Sequence, residues 1–317
     1  MNNLRNILVG SLLTLLAVLP ASGREKQNFN GGWLLFVGDT AQAAQPAFDD
    51  SQWQPVTLPR AFNEDEAFAR DIAELTDTIM WYRKHFSVDN MAGKKYFIEF
   101  EGVRQAGEFW LNGHRLGLSN NGVMACGFDL TPYIVEGENV MAVRIDNSWT
   151  YHDPIHESRF QWNDRNFNAN YGGIPKNVWL HITGKLYQTL PLYSNLGTTG
   201  TYVYATDIDV AHRSAVVHVE SQVRNEDSKP RTFRLFAKLV SPTNHIYAFM
   251  SGESVTLQPG ETRVVSIESK KTGLRLWSWG YGYLYTVYTY LVDGDKADPH
   301  PLKKEDPELI ITNQRIL

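Results

Sequence analysis

Glu108-Phe109-Trp110-Leu111 runs into Asn112-Gly113 and out again through His114-Arg115-Leu116-Gly117. The first run has the period-two alternation and the aromatic content of a strand. Asn-Gly between two such runs favours a type I′ turn, because both residues tolerate positive φ. The stretch therefore predicts a β-hairpin. The same signature recurs on both sides, in Tyr96-Phe97-Ile98-Glu99-Phe100 and in Val140-Met141-Ala142-Val143-Arg144-Ile145. From Phe29 onward such runs are short and closed by Gly, Pro, Asn or Asp, the pattern of an all-β sandwich protein. Helical character is confined to residues 64–75 and a turn at 130–134, both brief.

The pattern restarts after Leu186-Tyr187-Gln188-Thr189-Leu190-Pro191-Leu192-Tyr193-Ser194, which places a boundary near 188. New strands are expected at 216–223, 233–240, 254–257, 263–267 and 285–291, with turns at Asn225-Glu226-Asp227-Ser228, Ser241-Pro242 and Gln258-Pro259-Gly260-Glu261. Short strands with turns roughly every 8–12 residues suggest an immunoglobulin-like sandwich over 189–294. The polar, proline-rich residues 295–317 read as an irregular tail.

At 317 residues with 43% hydrophobic content, the chain can bury two ordinary cores. Its net charge of −5 comes from interspersed signs, so no basic stripe is available for nucleic acid. Residues 1–23 read as a signal peptide: Arg5 supplies the positive start, residues 7–19 the apolar run, and Ala21-Ser22-Gly23 a cleavage site. The apolar run is shorter than the ~20 residues that span a bilayer. The expectation is an exported protein, periplasmic or extracellular, with no membrane span after cleavage near Gly23. Cys126 is the single cysteine, which excludes an internal disulfide and reads as a small buried residue.

No phosphate-binding glycine loop, nucleophile elbow or Cys/His zinc cluster is present. His152 and His156 are four apart, but Pro154 between them argues against a helical metal site; no metal or other cofactor is expected. Asn63-Glu64 and Asn225-Glu226 do not read as catalytic pairs. The first suits the cap of a short helix and the second a solvated turn. Between Trp149 and Trp179, aromatic residues such as Tyr151, Phe160, Trp162 and Tyr171 interleave with amides such as Gln161, Asn166, Asn168 and Asn170. Aromatic faces cover sugar C–H patches and amides bond hydroxyls, so the segment suits a saccharide. It equally suits a structural loop whose Asn side chains bond nearby backbone.

Several motifs resemble glycoside hydrolase family 2 in order and spacing. They are Phe29-Asn30-Gly31-Gly32-Trp33, Val56-Thr57-Leu58-Pro59, Trp81-Tyr82-Arg83-Lys84, Phe100-Glu101-Gly102-Val103, Trp110-Leu111-Asn112-Gly113, Val143-Arg144-Ile145-Asp146-Asn147, Tyr171-Gly172-Gly173-Ile174 and Val178-Trp179-Leu180. Leu276-Trp277-Ser278 and Leu284-Tyr285-Thr286 are similar to the end of the family's linker domain. The resemblance implies a jelly-roll (galactose-binding-like) sugar-binding domain over 24–188, then the immunoglobulin-like domain. It implies a β-galactosidase-like, retaining glycosidase at family level. The (β/α)8 barrel that carries the family's two catalytic glutamates needs roughly 250 further residues, so no catalytic residue is assigned. By resemblance, Asn63, Asp65, Asn168 and Asn170, with Trp162 from the aromatic segment, are candidates for substrate contact. Gly172 and Gly173 are expected where the backbone needs unusual φ. Expected partners are a galactoside-like carbohydrate and either a catalytic barrel or a second copy. Two other readings stand beside this one: a stand-alone carbohydrate-binding module, and a structural or assembly protein of the cell envelope.

Overall fold

The computed structural model describes residues 24–122, 124–152, 169–193, 195–294 and 312–316. The described chain folds as two antiparallel β-sandwiches in sequence, with no α-helix among the described residues. One sheet of the first sandwich orders Glu25–Asn28, Val178–Gly184, Lys94–Phe100 and Cys126–Asp129; the other orders Gln54–Val56, Trp33–Val37, Ile79–Val88, Gly137–Asp146, Ala106–Leu111 and His114–Ser119. The alternation seen in the sequence becomes the core: Met80, Tyr82, Phe109, Leu111, Met141, Val143 and Ile145 face Tyr96, Ile98, Phe100, Phe128, Val178 and Leu180. The Asn112-Gly113 turn is the expected hairpin, with φ of 51° and 82° and Leu111 opposite His114. The Asn112 amide also ties this turn to Tyr133 O at 2.9 Å and Asn139 Oδ1 at 2.8 Å.

A feature absent from the sequence reading is a second apolar layer outside the six-stranded sheet. Residues 39–53 fold back over it, so Trp53, Ala43 and Ala44 pack on Trp81 and Ala142. Beneath them Arg83 is fully buried and donates to Asp50 Oδ2 at 2.6 Å and to the carbonyls of Ala43 and Gln45.

The chain passes to the second sandwich after Gly184, since Leu186–Gln188 already pairs with Ser214–Asn225. In that sheet Thr262–Lys271 lies along one edge of Ser214–Asn225, and Leu186–Gln188 and Thr201–Asp209 along the other. The facing sheet orders Ile246–Leu257, Arg231–Val240, Tyr285–Asp293 and Thr312–Ile316. Of the irregular tail expected at 295–317, residues 295–311 lie outside the described residues, and the stretch after them is corrected here. Thr312–Ile316 pairs antiparallel with residues 285–289, because an open sheet edge recruits backbone whatever the composition upstream.

The sandwiches are joined through side chains. Phe97 packs on Tyr187 at 5.4 Å beside Leu190 and Tyr193. Lys95, nearly buried, bridges Asp129 at 2.6 Å and Glu226 at 2.8 Å, and Tyr187 donates to Glu226 at 2.7 Å. Asn225-Glu226 is therefore not the solvated turn expected. Asn225 is fully buried and donates to the carbonyls of Lys229 and Leu257, while Glu226 is held against the first sandwich.

Candidate functional site

At one end of the first sandwich the two-stranded ribbon Arg60–Ala61 with Gly173–Ile174 meets the segments at 104–105 and 147–148. Asn63 sits at the centre. Its amide donates to Thr76 O and Asn170 O, both at 2.9 Å, and its oxygen accepts from Gly172 N at 3.2 Å. The expected helix cap is not made. Glu64–Glu66 is a 3-10 turn without a side-chain cap, since the distant loop claims the Asn63 amide. Asn170 and Asn147, both fully buried, exchange amide-to-carbonyl bonds of 2.9 Å and 3.2 Å. Arg104 Nε donates to Asn170 Oδ1 at 3.2 Å, and Gln105 Nε2 to Ser148 O at 3.0 Å.

The glycine pair makes this packing possible. A Cβ on Gly172 would fall 2.3 Å from the Asn147 amide, and one on Gly173 would fall 2.4 Å from Tyr82 Oη. Only Gly173 has the unusual φ anticipated, +121°; Gly172 is needed for close approach. The Tyr82 hydroxyl donates to Arg60 O at 2.8 Å, and burial raises its pKa, so it remains a neutral donor.

The candidate residues separate by position. Asn63 and Asn170 are buried and bonded to main chain, as described. The Asp65 side chain is exposed and meets Arg60 Nη2 at 2.6 Å, with Glu64 on the other guanidinium nitrogen. Trp162 and Asn168 lie outside the described residues, as does His156. His152 is exposed, and no group of three or more potential metal ligands occurs among the described residues. Cys126 is buried in the first core, where burial pushes its thiol up to about 12. Sequence reasoning missed Arg104 and Gln105 altogether. Asn147 appeared only as the end of a strand motif; the signal available was its place after an apolar run, where an amide can bond across the loop. A neighbouring cleft of about 370 Å³ is lined by Glu108, Arg144, Asp146, Ser148 and His152 among others. Arg144 pairs with Asp39 at 2.7 Å and Glu108 with Arg115 at 2.9 Å, while Asp146 accepts from Ser148 N at 3.0 Å and Oγ at 2.6 Å.

Fold and site together define a two-sandwich protein whose first domain gathers amide-bearing loops at one end. Residues 40–183 match the family description "Glycosyl hydrolases family 2, sugar binding domain", and residues 201–300 match "Glycosyl hydrolases family 2". The chain belongs to glycoside hydrolase family 2. It is 34% identical over 292 residues to a protein of Formosa agariphila named β-glucuronidase, a match covering 88% of this chain and 29% of that protein. It is 32% identical over 286 residues to a β-galactosidase of Bacteroides ovatus, covering 87% of this chain and 31% of the relative. A solved structure of a β-glucuronidase from glycoside hydrolase family 2 superposes with a TM-score of 0.80 at 30% identity, over 94% of this chain and 31% of the other. The chain thus spans about 30% of the length of these relatives. No helix among the described residues is long and apolar enough to cross a membrane.

Proposed function

We propose that this chain supplies the exported, non-catalytic front part of a retaining family 2 glycosidase acting on a β-galactoside or β-glucuronide, and that alone it binds sugar without hydrolysing it. The observation that carries the reading is the Asn63-Asn147-Asn170 network, which fixes the loop leading into Gly172-Gly173 beside the exposed Asp65. In this reading Asp65, Trp162 and Asn168 touch the sugar, while Asn63 and Asn170 hold the backbone that presents them. Catalytic carboxylates would come from a barrel, the partner that the lengths of the relatives imply. In this reading the barrel would dock on the second sandwich, at an apolar groove lined by Ile208, Val210, Leu274, Leu276, Trp277 and Tyr281, with Trp279 almost wholly exposed nearby.

A panel of nitrophenyl glycosides, including the β-galactoside and β-glucuronide, tests the first half. The expected result is no nitrophenol release at high protein concentration; clear turnover would place catalytic carboxylates inside this chain and overturn the proposal. Titration with galactose and glucuronate tests the second half. Millimolar binding that weakens in Asp65→Asn supports it, and a chain indifferent to both sugars sinks it.

A further inference from the structure

The outer face of the second sandwich carries a group of rings beyond what its core requires. Along Thr201–Asp209 the side chains alternate: Val203 and Ala205 pack on the core, while Tyr202, Tyr204 and Thr206 take the other face. On the neighbouring strand His218 and Glu220 share that face, opposite Tyr204 and Tyr202 in register. The His218 ring stacks on Tyr204 at 4.6 Å with an interplanar angle of 6°, and Tyr202 follows Tyr204 at 5.2 Å and 30°.

The inner two rings are held in place. His218 Nε2 is hydrogen-bonded to Thr206 Oγ1 at 2.8 Å, its Nδ1 faces Glu268 at 3.6 Å, and the Tyr204 hydroxyl donates to Glu220 Oε1 at 3.0 Å. Cross-strand packing accounts for this pair as sheet stabilisation. It does not account for Tyr202, which stands beside the pair with 63% of its surface exposed. An aromatic ring on a fixed support loses little freedom when a ligand covers it.

The surroundings narrow what would cover it. Both edges of Ser214–Asn225 are taken, by Thr201–Asp209 and by Thr262–Lys271, so its main chain cannot pair with an added strand and recognition falls to side chains. The groups bonded to the rings are the Glu220 and Glu268 carboxylates and the Thr206 hydroxyl. No lysine or arginine bonds to these rings or stacks on them among the described residues, which opposes a polyanion. The second Glu220 oxygen accepts no hydrogen bond among the described residues, and the exposed Ser266 lies opposite Glu220 on the third strand. A ring, a carboxylate acceptor and a hydroxyl in one row suit a ligand with apolar C–H patches and many hydroxyl groups.

We propose that this face of the second sandwich binds a neutral saccharide chain, one sugar ring resting on Tyr202 and its hydroxyls donating to Glu220. The surface belongs to a different domain from the amide-bearing loops and does not depend on the reading given to them. It holds a polymer at a distance from the site where a single sugar is gripped.

Affinity electrophoresis of the full chain through gels containing soluble galactan, xylan or mixed-linkage glucan tests this, with titration of the matching oligosaccharides from mono- to hexasaccharide, in wild type, Tyr202→Ala, Tyr202→Phe and Glu220→Gln. At least one polymer should retard the wild type, and its oligosaccharides should bind more tightly as they lengthen. Tyr202→Ala should weaken binding about tenfold, the upper scale of one ring contact, Glu220→Gln severalfold, and Tyr202→Phe little. Added salt should change the affinity little, because no ion pair forms. The urea midpoint of Y202A should match the wild type, since Tyr202 is already exposed. Galactose and glucuronate titrations of Y202A should also reproduce the wild type, so the two readings fail separately. Equal retardation of wild type and Y202A, retardation lost in Asp65→Asn but kept in Y202A, or no retardation by any polymer overturns the inference. Heparin bound as tightly as the neutral polymers refutes the choice of a neutral chain. Self-association in sedimentation velocity that Y202A abolishes would assign the face to a second copy and likewise overturn it. Should Y202A fail to fold, the His218 ring resonances of the wild type decide, assigned with His218→Gln: they must shift when the oligosaccharide is added, and an unmoved signal refutes the site.

Discussion

Gly172 is the residue on which the candidate site depends most directly. A Cβ there would sit 2.3 Å from the Asn147 amide, which is fully buried and bonded to Asn170 O. That amide cannot swing into solvent to make room. Gly172→Ala should cost about 2 kcal/mol, the usual range for overpacking a tight site, read as a shift of the urea midpoint. Gly31→Ala is the control, since nothing lies within 4 Å of its added methyl group; its midpoint should move little. Equal effects in the two variants would mean the 172 loop relaxes freely. The glycine pair was legible in the sequence as a special backbone position. Its reason was not, because the Asn147 contact joins residues far apart in the chain and leaves no local trace at either.

Strands were legible because alternation is a local property, and each predicted run lies inside an observed strand. What failed depended on distant partners. Asn63 was read as a cap, yet Gly172 N and Asn170 O hold its side chain. Asn225-Glu226 was read as a solvated turn, yet Lys95 from the other sandwich holds Glu226. The outer layer over strand Ile79–Val88 belongs to the same class. Arg83 within Trp81-Tyr82-Arg83-Lys84 has no sequence feature marking it as buried, but it lies under residues 43–50 with Asp50 as counter-ion. Burial works against the Asp50 carboxylate, and hydrogen bonds from Arg83 and His85 outweigh it and hold its pKa low. Arg83→Met should therefore destabilise by about 3 kcal/mol, since it leaves a shielded carboxylate with His85 alone in place of the buried guanidinium. Adding Asp50→Asn should recover part of that loss. Chemical denaturation of the single and double variants measures both, and a double variant no better than R83M would deny the coupling.

At the scale of the whole molecule, the buried His181–Glu99 pair beside the junction between the sandwiches should make stability fall in acid. Arg24 Nη2 donates to His181 Nδ1 at 3.2 Å, so His181 is protonated on Nε2, which donates to Glu99 at 2.6 Å. Tyr193, beyond the first sandwich, donates to the other Glu99 oxygen. Burial pushes the His181 pKa down from 6.5 to about 4, in spite of Glu99. Burial opposes ionisation of Glu99, but the hydrogen bonds from His181 and Tyr193 prevail and bring it from 4.5 down to about 2. Both folded values lie below the unfolded ones, so the unfolded chain binds more protons on acidification. Stability should hold above about pH 6.5, fall as His181 would protonate between 6.5 and 4, and fall again between 4.5 and 2 as Glu99 does. The slope from one such proton is about 1.4 kcal/mol per pH unit. His181→Gln keeps a neutral N–H donor and removes the titration, so its urea midpoint should be nearly flat where the wild type declines. Because Lys95-Glu226 and Phe97-Tyr187 join the same two domains, both sandwiches should lose structure in one transition. Far-ultraviolet circular dichroism and tryptophan fluorescence across pH 7 to 4 follow this, the buried Trp33, Trp81 and Trp149 reporting on the first sandwich. A wild-type midpoint that stays level down to pH 4.5, or an H181Q variant that declines as steeply, would remove the buried histidine from the account.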